Sequence, residues 1–380
     1  MSEASSRSGY VSHKAAGFAV CTALVIGILA SLALRPPGGD ATSAAAIPQG
    51  QSSAPESIRW RVPVSIPTSL EGLGDGIIRV ADFLSRSTSG RFALHVFEPG
   101  EIVPALGVFD AVREGKTQAA YTWVGYSQGV IPAAPLFAAV PFGMDPPEFS
   151  AWWYEGGGEG LAIDVFADFG MRPMLCGLIG PETAGWFRQP ISQLTDLEGL
   201  KIRFAGLGGK IIERLGASVT MIAGGEIFQA LEKGAIDATE YSLPSADQSL
   251  GFDRVTKYNY FPGWHQTFTS NHLLIGIEAW NALLPSDQAM LEIACTAGVA
   301  RGLAHSESLQ GPVVSGFKSR GVTVTRLPDA LLRSLQKEAQ KVMEEEAARD
   351  EDFKRVWESQ QAFRSQYDPW KRLAYLPRNF

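Results

Sequence analysis

With 380 residues, 45% of them hydrophobic and 10% aromatic, the chain has ample material for a sizeable buried core, which excludes a disordered or fibrous protein. The 33 Lys and Arg against 40 Asp and Glu give a net charge of -7, and the five His lack metal-type spacing, so the basic footprint of nucleic-acid binding is absent. Small molecules and proteins are the partners to look for.

At the N-terminus, Arg7, His13 and Lys14 precede an uncharged apolar run from Ala15 to Leu34, which Arg35-Pro36-Pro37-Gly38-Gly39 then breaks. This is the layout of an export signal to the periplasm. Ser43-Ala44-Ala45-Ala46 offers a small-residue cleavage site, yet the apolar run also has the length of a membrane anchor, so both outcomes stay open. Cys21 lacks the small residue expected before a lipid-modified cysteine. Without residues 1–46 the chain keeps 30 basic and 38 acidic residues, about -8. Cys176 and Cys295 also remain; two cysteines make no disulfide framework, and the expectation is two buried free thiols.

Residues 36–57 are rich in Pro, Gly, Ala, Ser and Gln without apolar periodicity, so 47–57 reads as a flexible spacer after an export segment of 1–46. From Ile58 the elements alternate: a strand Trp60–Ile66, an amphipathic helix Ile77–Ser87, a strand Phe92–Phe97, and a helix Val108–Glu114 closed by Gly115. The clearest cadence follows Leu200: strand Lys201–Ala205, helix Lys210–Leu215 stopped by Gly216, strand Ser218–Ala223, helix Glu226–Lys233 stopped by Gly234, strand Ala235–Tyr241. That is a parallel βαβαβ unit, and in such sheets binding groups gather at the carboxyl ends of strands, here around Arg203 and Thr239-Glu240-Tyr241. A weak repeat aligns Val108–Thr122 with Ile227–Tyr241, each a helix, a glycine stop and a strand, and sets Tyr121 opposite Glu240. Past Asn271 come a strand to Ile277, a long helix from Pro285 to about Leu309, a strand Val322–Arg326, and a helix from Pro328. In that last helix Leu331, Leu332, Leu335, Ala339, Val342 and Met343 recur at helical spacing as a packing face. The aromatic tail Phe363–Leu376 calls for packing on its own chain or on a neighbour. The fold class is α/β, with two lobes of mixed, mainly parallel sheet flanked by helices. Lobe 1 is expected over roughly 58–175 and 242–270, lobe 2 over 176–241 and 271–330, followed by a C-terminal helical segment over 328–380.

Gly125-Tyr126-Ser127-Gln128-Gly129 matches the nucleophile elbow of serine hydrolases and follows a strand, with His265 and Asp237 or Asp253 available on paper for a triad. An elbow launches a helix directly, whereas Pro132 and Pro135 stand where that helix would run. Gly206-Leu207-Gly208-Gly209-Lys210 is neither a dinucleotide fingerprint nor a P-loop but a tight turn, whose following helix N-terminus lends positive dipole near Arg203. Glu155-Gly156-Gly157-Gly158-Glu159-Gly160 follows a helix end at Trp152-Trp153-Tyr154 and is no phosphate loop. Arg203 inside an apolar strand needs a carboxylate or phosphate for its planar donors, from a ligand or from an internal salt bridge, and Glu240 at the end of another apolar strand needs a partner too.

Gly185-Trp186-Phe187-Arg188, Asp196-Leu197-Glu198-Gly199-Leu200-Lys201-Ile202-Arg203, Leu215-Gly216-Ala217, Gly224 through Gly234, Ile236 through Glu240 and Pro262-Gly263-Trp264-His265 together resemble the solute-binding subunits of tripartite ATP-independent periplasmic (TRAP) transporters, in the branch for 2-oxo acids and lactate. The resemblance runs from about Trp60 to the C-terminus. It implies a non-enzymatic carrier that takes up a small monocarboxylate, with Arg203 pairing with the substrate carboxylate. It also implies that Glu240 and Tyr241 line the cleft, with Glu240 a cation ligand, that Trp123, Trp186 and His265 wall it, and that the loaded protein docks on small and large membrane subunits. Homodimers through the C-terminal helix occur in this branch. Three positions depart from it: Glu182 stands where Gln is usual, Tyr241 where Trp is, and Gln266 where Glu is. Glu182 with Glu240, and Tyr241 beside them, would then surround the cation, and two carboxylates suit Ca²⁺ better than Na⁺. The rival readings are a serine hydrolase using Ser127 and a ligand-sensing ectodomain held by residues 15–34.

Overall fold

The computed structural model describes residues 57–374 and 376; the export segment and most of the spacer lie outside them. Among the described residues no helix is long and apolar enough to cross a membrane.

Two α/β lobes are built on one plan. In lobe 1, β1 (Ile58–Pro63), α1 (Gly76–Ser87), β2 (Phe92–Phe97), α2 (Val108–Arg113) and β3 (Ala119–Thr122) follow in order. β1 pairs parallel with β2, and a parallel bridge from Val64 to Tyr121 sets it beside β3. In lobe 2, β6 (Lys201–Arg203), α5 (Gly206–Arg214), β7 (Ser218–Thr220), α6 (Gly224–Glu232) and β8 (Ala238–Thr239) repeat that path, with β6 parallel to both β7 and β8. The fifteen-position sequence repeat therefore falls on equivalent units, α2–β3 and α6–β8. Between the two lie α3 (Pro146–Glu155) and α4 (Gly158–Ala167), both in lobe 1.

Each lobe then borrows a strand from the other half of the chain. β4 (Met171–Ile179) leaves lobe 1, residues 180–184 cross, and β5 (Gly185–Phe187) enters the second sheet between β8 and β9 (Tyr258–Phe261). After β8 come α7 (Pro244–Ser249) and α8 (Phe252–Val255), then β9; residues 262–268 cross back, and β10 (Thr269–Gly276) inserts antiparallel between β3 and β4. This corrects the expected lobe limits: β9 belongs to lobe 2, and β10 with the helix after it belongs to lobe 1. The reason is the exchange itself, because a strand that crosses must pair with the sheet it enters. Following α9 (Ile277–Asn281), α10 (Pro285–Phe317) packs on β4 and α1, continues past α7, and delivers β11 (Thr323–Arg326) to the edge of the second sheet. α11 (Asp329–Arg349) lays Leu331, Leu335, Ala339, Val342 and Met343 inward, as the periodicity predicts. α12 (Glu351–Ala374) returns to lobe 1 against α3 and α4, with Phe363 stacked on Tyr367.

Cys176 on β4 and Cys295 on α10 form a disulfide, their Cα atoms 4.1 Å apart, instead of the expected free thiols. A sequence separation of 119 hides the pairing, but strand and helix meet face to face in one core.

Candidate functional site

Arg203 and Glu240 stand at the carboxyl ends of the neighbouring parallel strands β6 and β8, where Arg203 registers with Thr239. Glu240 N–H donates to the Arg203 carbonyl at 3.1 Å, and the Arg203 side chain turns back across it. Nη1 donates to Glu240 Oε1 at 2.7 Å and to the Glu240 carbonyl at 2.9 Å, while Nε donates to the Ile222 carbonyl at 3.3 Å. Both side chains are buried, at 1% and 0% exposure, so each charge depends on the other. The guanidinium carbon also lies 5.3 Å from the centre of the Tyr241 ring, a cation–π contact. Glu240 Oε1 accepts a further bond from Ala205 N–H at 2.5 Å, at the N-cap of α5. The helix start expected to favour an anion thus faces this carboxylate, and Gly206–Gly209 form its first turn rather than a separate tight turn.

Glu182 and Gln266 come from the two crossing segments, which bond to each other: Gly263 N–H donates to the Glu182 carbonyl at 3.0 Å and Glu182 N–H to the Gln266 carbonyl at 3.2 Å. Gly263 is required here, since a Cβ would fall 2.4 Å from the Glu182 carbonyl oxygen. Glu182 Oε1 accepts from Thr269 Oγ1 at 2.8 Å and from Ser242 Oγ at 3.1 Å. With its amide oriented to donate, Gln266 nitrogen reaches Glu182 Oε2 at 2.5 Å.

Together Arg203, Glu240, Tyr241, Glu182, Gln266 and Trp123 line one small cavity between the lobes, of about 20 Å³. Two expected wall residues stand behind it. Trp186 turns its indole N–H to Asp247 Oδ2 at 2.7 Å, away from the lining, because its neighbour Phe187 takes the other face of β5. His265 lies behind Glu240, its Nε2 3.6 Å from Glu240 Oε2 and its ring edge-on to Phe204. Tyr126, Ser242 and Thr269 also line the cavity and carry no sequence signal of their own, although Tyr126 sits inside the Gly-x-Ser-x-Gly motif. That motif has another use: a Cβ on Gly125 would fall 2.2 Å from the Trp123 indole, so glycine lets the ring lie over the backbone. The triad is not brought together. Ser127 ends a 3-10 turn, both His265 nitrogens are buried without hydrogen-bond partners, Asp237 accepts from Lys201 N–H, and Asp253 pairs with Arg320.

The cavity is rich in carboxyl groups. Burial pushes Glu240 up, but the Arg203 charge, His265 and the Ala205 N–H outweigh it and hold the carboxylate below its ordinary range. Burial, then the charge of Glu240, drives Glu182 well above that range despite its hydrogen bonds to Thr269 and Ser242. Glu182, Glu240 and His265 present ligand atoms all within 4.8 Å of one another, and Glu240 Oε2 is buried with no hydrogen-bond partner. That oxygen, facing a second carboxyl, fits a hard cation.

The profile of the bacterial extracellular solute-binding protein family 7 (DctP) matches residues 68–350. A monocarboxylate 2-oxoacid-binding periplasmic protein from Nostoc sp. is 35% identical over 320 residues, 84% of this chain and 88% of that protein. Among solved structures, a TRAP transporter solute-binding protein from Bordetella bronchiseptica, a mixed-occupancy dimer with copurified calcium and picolinate, superposes with a TM-score of 0.82 at 30% identity, covering 84% of this chain and 95% of that one. A TRAP periplasmic solute-binding protein from Colwellia psychrerythraea with bound calcium and pyruvate gives 0.81 at 29% identity, covering 84% and 98%. Another from Pseudoalteromonas atlantica, with sodium and pyruvate, gives 0.81 at 28%, covering 84% and 97%. With the two-lobed fold and the buried charged cavity already in place, these matches establish that the chain belongs to the bacterial extracellular solute-binding protein family 7, as a solute-binding protein of the TRAP type.

Proposed function

We propose that the chain captures a small 2-oxo or 2-hydroxy monocarboxylate, of the size of pyruvate or lactate, together with a cation outside the cytoplasm, and passes it to the small and large membrane subunits of a TRAP transporter. The observation that carries this reading is the buried Arg203–Glu240 pair beside Glu182, in one small cavity lined by both lobes. A guanidinium enclosed this closely suits a small acid, and the relatives named for their ligands point to the same class.

In this mechanism Glu240 holds the guanidinium by Nη1, and the remaining edge, beside Tyr126, receives the ligand carboxylate. Trp123 and Tyr241 shield the ligand from water as the crossing segments bend and the lobes close. No bond is made or broken. The charge balance favours a co-bound cation: one guanidinium already faces Glu240, and a ligand carboxylate adds a further negative charge in a buried space. Glu240 Oε2, Glu182 and the Tyr241 side would hold that ion, which supplies positive charge opposite the ligand; Ca²⁺ fits a two-carboxylate set better than Na⁺. At the end of α12, Trp370 is 62% and Leu373 87% exposed, an apolar pair suited to a second copy of the chain. Sedimentation of the wild type as a dimer, and of a Trp370→Ser/Leu373→Ser variant as a monomer, checks that part; a monomeric wild type refutes it.

The test of the ligand is a thermal shift. Pyruvate with CaCl₂ or NaCl at a hundredfold excess over its Kd stabilises the wild type by about 2.7 kcal/mol. It leaves Arg203→Ala unshifted. Equal shifts in both proteins sink the Arg203 role.

A further inference from the structure

Asp247 touches none of the space in the cavity, yet it is completely buried on α7. Both of its oxygens are engaged by neutral donors. Oδ1 accepts Ser242 N–H at 3.1 Å, and Oδ2 accepts the Trp186 indole N–H at 2.7 Å and the Thr183 hydroxyl at 3.4 Å. The donors belong to three separate segments: the chain leaving β8, the strand β5, and the crossing segment that carries Glu182. Ser242 extends the chain of bonds, since its hydroxyl donates to Glu182 Oε1 at 3.1 Å. A buried carboxyl with no cation among these partners is costly, and an apolar residue would fill the place at lower cost. What the carboxyl supplies is two acceptors that lock three segments of the binding site to one point.

We infer that Asp247 is a positioning residue of the cavity, fixing Glu182 and the Glu240–Ser242 segment for ligand capture through Ser242 and Trp186. The role rests on the proposed carboxylate ligand only for its effect on affinity; the coupling of Asp247 to the Glu240–Ser242 segment stands without it. It also accounts for the placement of Trp186, which serves the site through Asp247. The groups facing Asp247 are Trp186, Ser242 and Thr183 by hydrogen bonds and Glu182, Glu240 and Tyr241 by charge. Burial brings the carboxyl up to about 7, within easy experimental reach. Asparagine at this position has nearly the same shape but one acceptor oxygen, so it cannot serve both Ser242 N–H and the Trp186 indole.

The experiment uses the full chain labelled with ¹⁵N at its tryptophan indoles and free of ligand. The Trp186 resonance, assigned by its loss in Trp186→Phe, shows an inflection near pH 7 in the wild type. That inflection is absent in Asp247→Asn and moves to lower pH in Glu240→Gln, where the neighbouring negative charge is gone. In parallel, calorimetry with pyruvate and Ca²⁺ gives about tenfold weaker binding for Asp247→Asn and for Ser242→Ala, and no further loss in the double variant, because both break the same connection. An indole inflection unmoved by Glu240→Gln overturns the coupling whatever the ligand is. Pyruvate binding of Asp247→Asn within about twofold of wild type, or additive losses in the double variant, overturns the positioning role. A wild type that shows the moving inflection but binds no pyruvate with Ca²⁺ or Na⁺ refutes the proposed ligand and upholds the coupling.

Discussion

Replacing Glu240 by Gln tests the electrostatic centre of the site. Arg203 is 1% exposed; its Nη1 loses a carboxylate at 2.7 Å and keeps the Glu240 carbonyl, while Nε keeps that of Ile222. Removing one member of a buried ion pair leaves an uncompensated charge and costs about 3–5 kcal/mol. For about 320 described residues, an unfolding entropy near 2.1 cal/mol/K per residue turns this into a fall of roughly 4–8 °C in melting temperature. The folded-state pKa of Glu240 lies below its unfolded value, so the stabilisation is present above the unfolded value and fades as pH falls through the folded one. The variant's deficit is therefore full at pH 7 and shrinks towards acid. Scanning calorimetry from pH 3 to 8 without ligand reads both features. A melting temperature within about 1 °C of wild type at pH 7 would refute the claim that the pair is buried and mutually dependent.

Glu182 shifts the opposite way. Its folded pKa is raised, so its contribution is present below the unfolded value and lost as pH rises through the folded one; Glu182→Gln flattens the fall in ligand-free melting temperature on the alkaline side, and an unchanged slope counts against that burial. Gly125→Ala puts a Cβ 2.2 Å from the Trp123 indole and displaces a cavity wall, so pyruvate affinity drops by about tenfold or more in calorimetry while the fold persists by circular dichroism. Undiminished affinity would show that Trp123 is not fixed there. Joint replacement of Cys176 and Cys295 by Ala opens a loop of about 120 residues, a loss of up to about 5 kcal/mol in the chain-entropy account, read as a lower urea midpoint. A midpoint equal to that of the oxidised wild type would mean that the bridge does not form.

The βαβαβ unit of lobe 2 was legible because its glycine stops and apolar strands are local features, and parallel strands place Arg203 and Glu240 at one edge wherever the lobe sits. The repeat of α2–β3 in α6–β8 was legible for the same reason. What the pattern concealed is decided by tertiary contact. α5 starts four residues before its periodicity does, since Gly208 and Gly209 are poor helix formers retained for close packing; a Cβ on Gly208 would meet the Phe204 ring at 2.4 Å. α10 runs past the expected end near Leu309 through Pro312, whose missing N–H removes one rung that packing on both lobes outweighs. The strand exchange and the disulfide join segments far apart in sequence, and Trp186 takes its side of β5 from Asp247, a partner sixty-one residues away.

The position of Glu182 and Gln266 carries a consequence for how capture and closure are linked. Both lie on the segments that cross between the lobes, hydrogen-bonded to each other by main chain and side chain, where the proposed closure would bend the chain. Glu182 on one crossing segment is thus the direct partner of Gln266 on the other. Any ion or ligand that engages Glu182 acts on the hinge without an intermediary, and the differential affinity between open and closed lobes can arise at this pair. The Glu182 carboxyl, bonded to Ser242 and Thr269, is also tied through Ser242 to Asp247 on α7, whose Ser245 bonds to Gln310 of α10 and to the Glu71 carbonyl of lobe 1. The closing motion and the charge of the site therefore share one continuous set of hydrogen bonds.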